Sequence, residues 1–154
     1  MNTEPTKSLA ALYRDWQAED RALEAGIAEI RRWMYEVSQF GEPHFGEIAT
    51  RLKLFRQQLI QHFEREREML IEIADSHLTS TREVNAMGEQ SSVDRGRLFA
   101  QIDDLMERLN QVDPPFNSWQ QAMKEVEDFI DVLEQHENRE VENMTKLIPD
   151  PELP

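Results

Sequence analysis

Two histidine–glutamate pairs carry the strongest chemical signal in this sequence. His62 precedes Glu66 by four residues in "LIQHFEREREM", and His136 precedes Glu140 by four residues in "LEQHENREVENM". Side chains four residues apart lie on the same face of a helix, separated by about 6 Å along its axis. Each pair can therefore offer an imidazole nitrogen and a carboxylate oxygen to one layer of metal ions.

The rest of the composition limits the chemistry of such a site. The chain has no cysteine, which excludes disulfides, thiolate metal sites and cysteine nucleophiles. It also lacks a glycine-rich phosphate loop and an arranged Ser–His–Asp set, which argues against nucleotide or hydrolase chemistry. Any metal site must use histidine, aspartate, glutamate and other oxygen ligands.

Long helices are expected to position these residues. Proline and glycine cluster at 41–46 and at 112–117, and Ser80-x-x-Glu83 has the pattern of a helix capping box. Apolar residues recur between these breaks at steps of three and four, which predicts helices over about 7–38, 44–75, 80–111 and 115–148. The short connections predict an all-α, up-down-up-down antiparallel four-helix bundle, formed by residues 1–154 as a single domain.

The two halves of the chain repeat. A shift of 74 residues carries His62 onto His136 and Glu66 onto Glu140, and the same shift carries Asp20 in the first helix onto Asp94 in the third. Repeat 1 covers about 7–75 and repeat 2 about 80–148, so each repeat is a helical hairpin with an aspartate on one helix and a His–Glu pair on the other.

These polar residues interrupt the apolar stripes that should face the core. Their distances from the turns place six of them at one height in the bundle: Asp20, His62, Glu66, Asp94, His136 and Glu140. No lysine or arginine shares the stripe at that level, so burial and mutual repulsion should raise the carboxylate pKa values. Two divalent cations would cancel the four negative charges and leave both imidazoles neutral as ligands.

The sequence resembles the hemerythrin-like family, also called HHE cation-binding domains, along nearly its whole length. "HFEREREML" and "HENREVENM" match the doubled His-x-x-x-Glu motif of that family, and the trailing "LIP" at 147–149 matches as well. The resemblance implies a non-haem di-iron site in which Glu66 and Glu140 bridge two Fe ions, with His62 and His136 as terminal ligands.

Two positions depart from the family pattern. Asp20 in "WQAEDRALE" and Asp94 in "SSVDRGRLF" stand where the family usually has histidine. Each aspartate is expected to bind metal directly, to act through a water or to mark a site that has lost its metal. The resulting ligand set resembles that of ferritin-like di-iron proteins, which favours redox or oxygen-activating chemistry over reversible oxygen carriage and also accepts Mn.

Charge and hydropathy restrict the partners. The formal net charge of −14 disfavours nucleic acid and anionic lipid, and no apolar run reaches the length of a membrane span. The N-terminus lacks the apolar core of a signal peptide, so we expect a cytoplasmic protein, with a homodimer left open. The expected partners are metal ions and a small diatomic ligand or peroxide.

Two classes of function remain open from the sequence. The first is a di-metal protein that binds, senses or reduces oxygen, nitric oxide or peroxide, or that handles iron. The second is a metal-free helical bundle that acts as a binding or regulatory module. Two further histidines, His44 and His77, fall near turns and are expected to lie outside the site.

Overall fold

Four long helices make up the computed structural model, which describes residues 9–75 and 81–147, without the side chains at 9, 10, 81 and 147. Their bounds are α1 Leu9–Ser38, α2 Phe45–Asp75, α3 Thr81–Leu109 and α4 Trp119–Leu147. Helices α1 and α3 each pack against both α2 and α4. The predicted all-α four-helix bundle is confirmed, and the described ranges contain no strand.

The turns differ in detail from the prediction. Helix α4 begins at Trp119 and not at 115, because the Ser118 hydroxyl accepts a hydrogen bond from the Gln121 amide at 3.1 Å and caps the helix there. Helix α1 is followed by Gly41, whose φ of 71° is a left-handed conformation that glycine adopts without strain. The predicted capping residue Ser80 lies outside the described residues.

The apolar core is divided into two parts along the bundle. The larger part lies towards the α1–α2 and α3–α4 turns and includes Leu52, Phe55, Leu59, Ile102, Phe129 and Leu133. The smaller part lies towards the other end and consists of Trp16, Met69, Leu70, Ile73, Val84 and Met144. The His–Glu pairs of α2 and α4 fall between the two parts, so the apolar packing on either side holds their helices in place.

The described part of the chain contains no candidate for a membrane-spanning helix. None of its four helices combines the length and the apolar character needed to cross a bilayer.

The core packing leads to a stability prediction. Leu133→Ala should reduce the free energy of unfolding by about 2 to 5 kcal/mol, because Leu133 is fully buried and its truncation leaves a cavity. The matched control is Leu54→Ala at a side chain that is 61% exposed, where a change within about 0.5 kcal/mol is expected. Urea unfolding of both variants measures the difference, and equal losses would contradict the packing described here.

Candidate metal centre

A layer of polar side chains crosses the bundle between the two parts of the core. Six of them are buried, and we call this set the polar layer: His62 and Glu66 from α2, Ser91 from α3, and His136, Glu137 and Glu140 from α4. The relative exposure of His62, Glu66 and His136 is 2% or less. The two predicted His–Glu pairs therefore face each other across the bundle, away from solvent.

The first group of potential ligands forms around His62. Its Nε2 atom lies 2.7 Å from Glu66 Oε1 and 3.0 Å from Glu137 Oε2. The imidazole thus connects a carboxylate of its own helix to one on the helix across the bundle.

The second group forms around His136. Its Nε2 atom lies 3.5 Å from Glu140 Oε1, and that carboxylate also accepts a hydrogen bond from the hydroxyl of Ser91. The ring of Phe63 meets the His136 ring edge-on, with centroids 5.8 Å apart, and provides an apolar wall on this side.

Both groups have the geometry of a metal-binding set. In each, one donor atom per residue lies within 4.8 Å of the others, and the two sets are His62–Glu66–Glu137 and Glu66–His136–Glu140. Glu66 belongs to both sets.

Several donor atoms in these groups are not otherwise used. Within the described ranges, His62 Nδ1, His136 Nε2 and Glu137 Oε1 are buried without a hydrogen-bond partner. Buried polar atoms normally have a partner, so unpaired nitrogen and oxygen atoms on residues of both ligand groups fit a metal ion.

The predicted aspartates lie at the edge of the polar layer. Asp94 Oδ2 is 3.7 Å from His136 Nδ1, while its Oδ1 accepts a hydrogen bond from Gln90. Asp20 is half-buried and feels the charges of His62 and Glu66. Neither aspartate belongs to the two ligand groups, so direct metal binding by Asp20 and Asp94 stays a prediction.

One arginine does reach this level of the bundle, contrary to the expectation from the sequence. The Arg95 guanidinium lies 3.0 Å from Glu66 Oε2 and 5.0 Å from the centre of the Phe63 ring. Its side chain is only 12% exposed. The expectation considered only residues whose helical positions face the core. A long arginine side chain can extend inward from a neighbouring position.

Glu137 is the ligand candidate that sequence reasoning missed. It follows His136 directly and so did not fit the four-residue spacing, yet it is only 7% exposed. Its repeat counterpart is Phe63, which is also buried. That pairing was the available signal, because a glutamate whose repeat counterpart is apolar is expected to face the core.

The sequence also predicts that His44 and His77 lie outside the site. His44 sits before α2 between the rings of Trp33 and Trp119, and its Nδ1 contacts Glu47 at 3.2 Å. Its separation from His62 along the helix is about 27 Å. His77 lies outside the described residues.

The electrostatics of the first group centre on His62. Burial disfavours its protonation, but hydrogen bonds with Glu137 and Glu66 outweigh burial and raise the pKa of His62 to about 10. Burial also raises the pKa of Glu137 to about 7, against the lowering effect of His62. In the metal-free protein, the protonated His62 is therefore the cation that Glu66 and Glu137 share.

The pKa values of Asp20, Glu66 and Glu140 do not all shift in the same direction. Burial raises the pKa values of Asp20 and Glu140, as expected. Burial also opposes ionisation of Glu66, but its hydrogen bond with His62 and the charge of Arg95 prevail and lower its pKa. The expectation of a raised value at Glu66 was therefore wrong. The pKa of His136 is lowered, chiefly by burial, which keeps this imidazole neutral.

The raised pKa of His62 predicts how the metal-free protein responds to pH. Protonated His62 stabilises the fold fully below its ordinary pKa of 6.5, and this contribution is lost as the pH rises towards 10. With chelator present, the free energy of unfolding should fall by roughly 1 to 3 kcal/mol between about pH 7.5 and about pH 9.5.

Chemical denaturation at the two pH values measures this loss. His62→Gln should lose much less stability over the same interval, and His44→Gln, which lies outside the polar layer, should behave like the parent protein. An equal decline in the parent protein and in His62→Gln would contradict the role assigned to His62.

Comparison with known proteins agrees with this geometry. Searches of curated proteins and of solved structures found no match. A family model described as the hemerythrin HHE cation-binding domain matches residues 11–148, which include both His–Glu pairs and parts of all four helices. Such a domain indicates cation binding, for which the two His/Glu groups offer ligands. The chain therefore belongs to the hemerythrin HHE cation-binding domain family.

Proposed function

We propose that this protein is a non-haem di-metal protein, with iron as the principal metal and manganese as the alternative. In this proposal it binds, senses or reduces oxygen, nitric oxide or peroxide, or handles iron itself. The observation that carries the proposal is the position of Glu66, which is shared by two three-residue groups of potential ligands. A carboxylate has two oxygens, so Glu66 can serve one ion on each side.

The charge of the site supports two divalent ions. Five carboxylates lie in or beside the polar layer: Asp20, Glu66, Asp94, Glu137 and Glu140. Two arginines contact them, Arg95 at Glu66 and the exposed Arg139 at Asp94. With both imidazoles neutral, the five carboxylates and two guanidinium groups leave a formal charge of −3, which is more than one divalent cation can neutralise. Uncompensated burial of such charges would cost several kcal/mol for each ion.

The kind of ligand supports redox chemistry. Imidazole nitrogen and carboxylate oxygen suit iron and manganese, and the carboxylates outnumber the imidazoles. When bound, a pair of ferrous ions would supply electrons to a small oxidant. The residues of the chain would hold the ions, and the apolar core on both sides of the layer would exclude bulk water from them.

Replacing Glu66 tests the shared carboxylate. The parent protein should bind two ferrous ions per chain under anaerobic conditions, whereas Glu66→Gln should lose at least the second ion, because the amide keeps the size of the side chain and loses its charge. Calorimetric titration of chelator-treated protein measures both. The control is Glu64→Gln at an exposed position of the same helix, which should titrate like the parent.

The alternative class of function is a metal-free bundle that acts as a binding or regulatory module. The contact between Arg95 and Glu66 favours it, because the guanidinium already compensates one buried carboxylate. A parent protein that takes up neither ferrous nor manganous ion in the titration would overturn the di-metal proposal and leave the metal-free bundle as the better explanation.

Exposure to oxygen separates redox turnover from reversible carriage. The iron-loaded, reduced protein should be oxidised by oxygen, with new absorption in the near ultraviolet, and degassing should not restore the reduced spectrum. This follows from the carboxylate-rich ligand set, which stabilises the ferric state. Full recovery of the reduced spectrum on degassing would instead show an oxygen carrier.

A further inference from the structure

The two sequence repeats are not equivalent at the site, and the difference concerns Glu140. By the symmetry of the repeat, Glu66 and Glu140 are equivalent and each would serve both histidines. The structure places Glu66 in both ligand groups but Glu140 only in the group of His136. The site is therefore not symmetrical about the two helices.

One contact explains where Glu140 is held. The hydroxyl of Ser91, itself only 3% exposed, donates a hydrogen bond to Glu140 Oε1. The repeat counterpart of Ser91 is Gln17, and Glu66 is instead paired with Arg95 from the same helix as Ser91. Helix α3 thus contacts both carboxylates, but through different side chains.

Another carboxylate occupies the place that Glu140 leaves beside His62. Glu137 Oε2 lies 3.0 Å from His62 Nε2, and the side chain is only 7% exposed. Its second oxygen, Oε1, is buried and has no hydrogen-bond partner in the described part of the chain. Glu137, itself a member of the first ligand group, therefore keeps one carboxylate oxygen without a hydrogen-bond partner among the described residues.

The counterpart of Glu137 in the other repeat cannot bind metal. Phe63 stands there, with its ring against His62, Phe99 and His136. The two sides of the site therefore differ in kind, because one has an additional carboxylate where the other has an aromatic wall.

We propose that Glu137 ligates the metal ion on the His62 side, in the place that the repeat would assign to Glu140. The centre then has one shared carboxylate, Glu66, and two terminal ones, Glu137 and Glu140. This inference rests on the di-metal function proposed above. It implies that the two ions are bound by different ligand sets and can be removed separately by substitution.

The test is a titration of chelator-treated protein with manganous ion. Binding is measured by calorimetry and by the electron paramagnetic resonance signal of free Mn²⁺. The parent protein should bind two ions. Glu137→Gln should retain one ion and bind the other at least about 10-fold more weakly, since the charged oxygen ligand is lost. The matched control is Glu142→Gln, an exposed glutamate of the same helix, which should bind both ions like the parent.

The outcomes are separable. A folded Glu137→Gln protein that binds two ions with parental affinity would overturn the role of Glu137 and leave the di-metal function standing. A parent protein that binds neither manganous ion here nor ferrous ion in the parallel anaerobic titration would overturn the proposed function and this inference with it. If Glu137→Gln does not fold, Glu137→Asp replaces it: the shorter carboxylate should also weaken one ion only, and parental binding of both ions would overturn the proposal.

Discussion

Buried carboxylates need compensating positive charge, and this requirement shapes the middle of the bundle. Glu66, Glu137 and Glu140 are all nearly inaccessible to solvent, and their mutual repulsion would be strong in a low-dielectric interior. In the metal-free protein the positive charge comes from Arg95 and from a protonated His62, and the Ser91 hydroxyl donates a hydrogen bond to Glu140. Metal binding would replace the proton on His62 by a divalent ion, which couples metal affinity to pH.

The apolar core supports this arrangement from both sides. The larger cluster holds α2 and α4 together above the polar layer, and the smaller cluster, with Trp16 and several methionines, does so below it. Because the residues of the two ligand groups lie on α2 and α4, which are packed on both sides of the polar layer, their ligand atoms remain close together without metal. Such preorganisation reduces the cost of ordering the ligands when an ion binds.

Much of the fold and part of the site could be predicted from the sequence. Helical periodicity located all four helices, and the 74-residue repeat brought His62, Glu66, His136 and Glu140 into one layer because equal offsets from the turns mean equal heights. Arg95 and Glu137 were missed since both are adjacent to a predicted site residue and not one turn away from it. A buried helical face is wide enough to include such neighbours, and only the packing of the facing helices decides which of them turn inward.

Anomalous diffraction from crystals of the iron-loaded protein would locate the bound ions and show whether Glu66 is shared between them. We expect two iron peaks in the polar layer between α2 and α4, one beside His62 and one beside His136, both within bonding distance of the Glu66 carboxylate. A single peak, or peaks at surface carboxylates such as those of Glu64 and Glu68, would contradict a di-metal centre that shares Glu66.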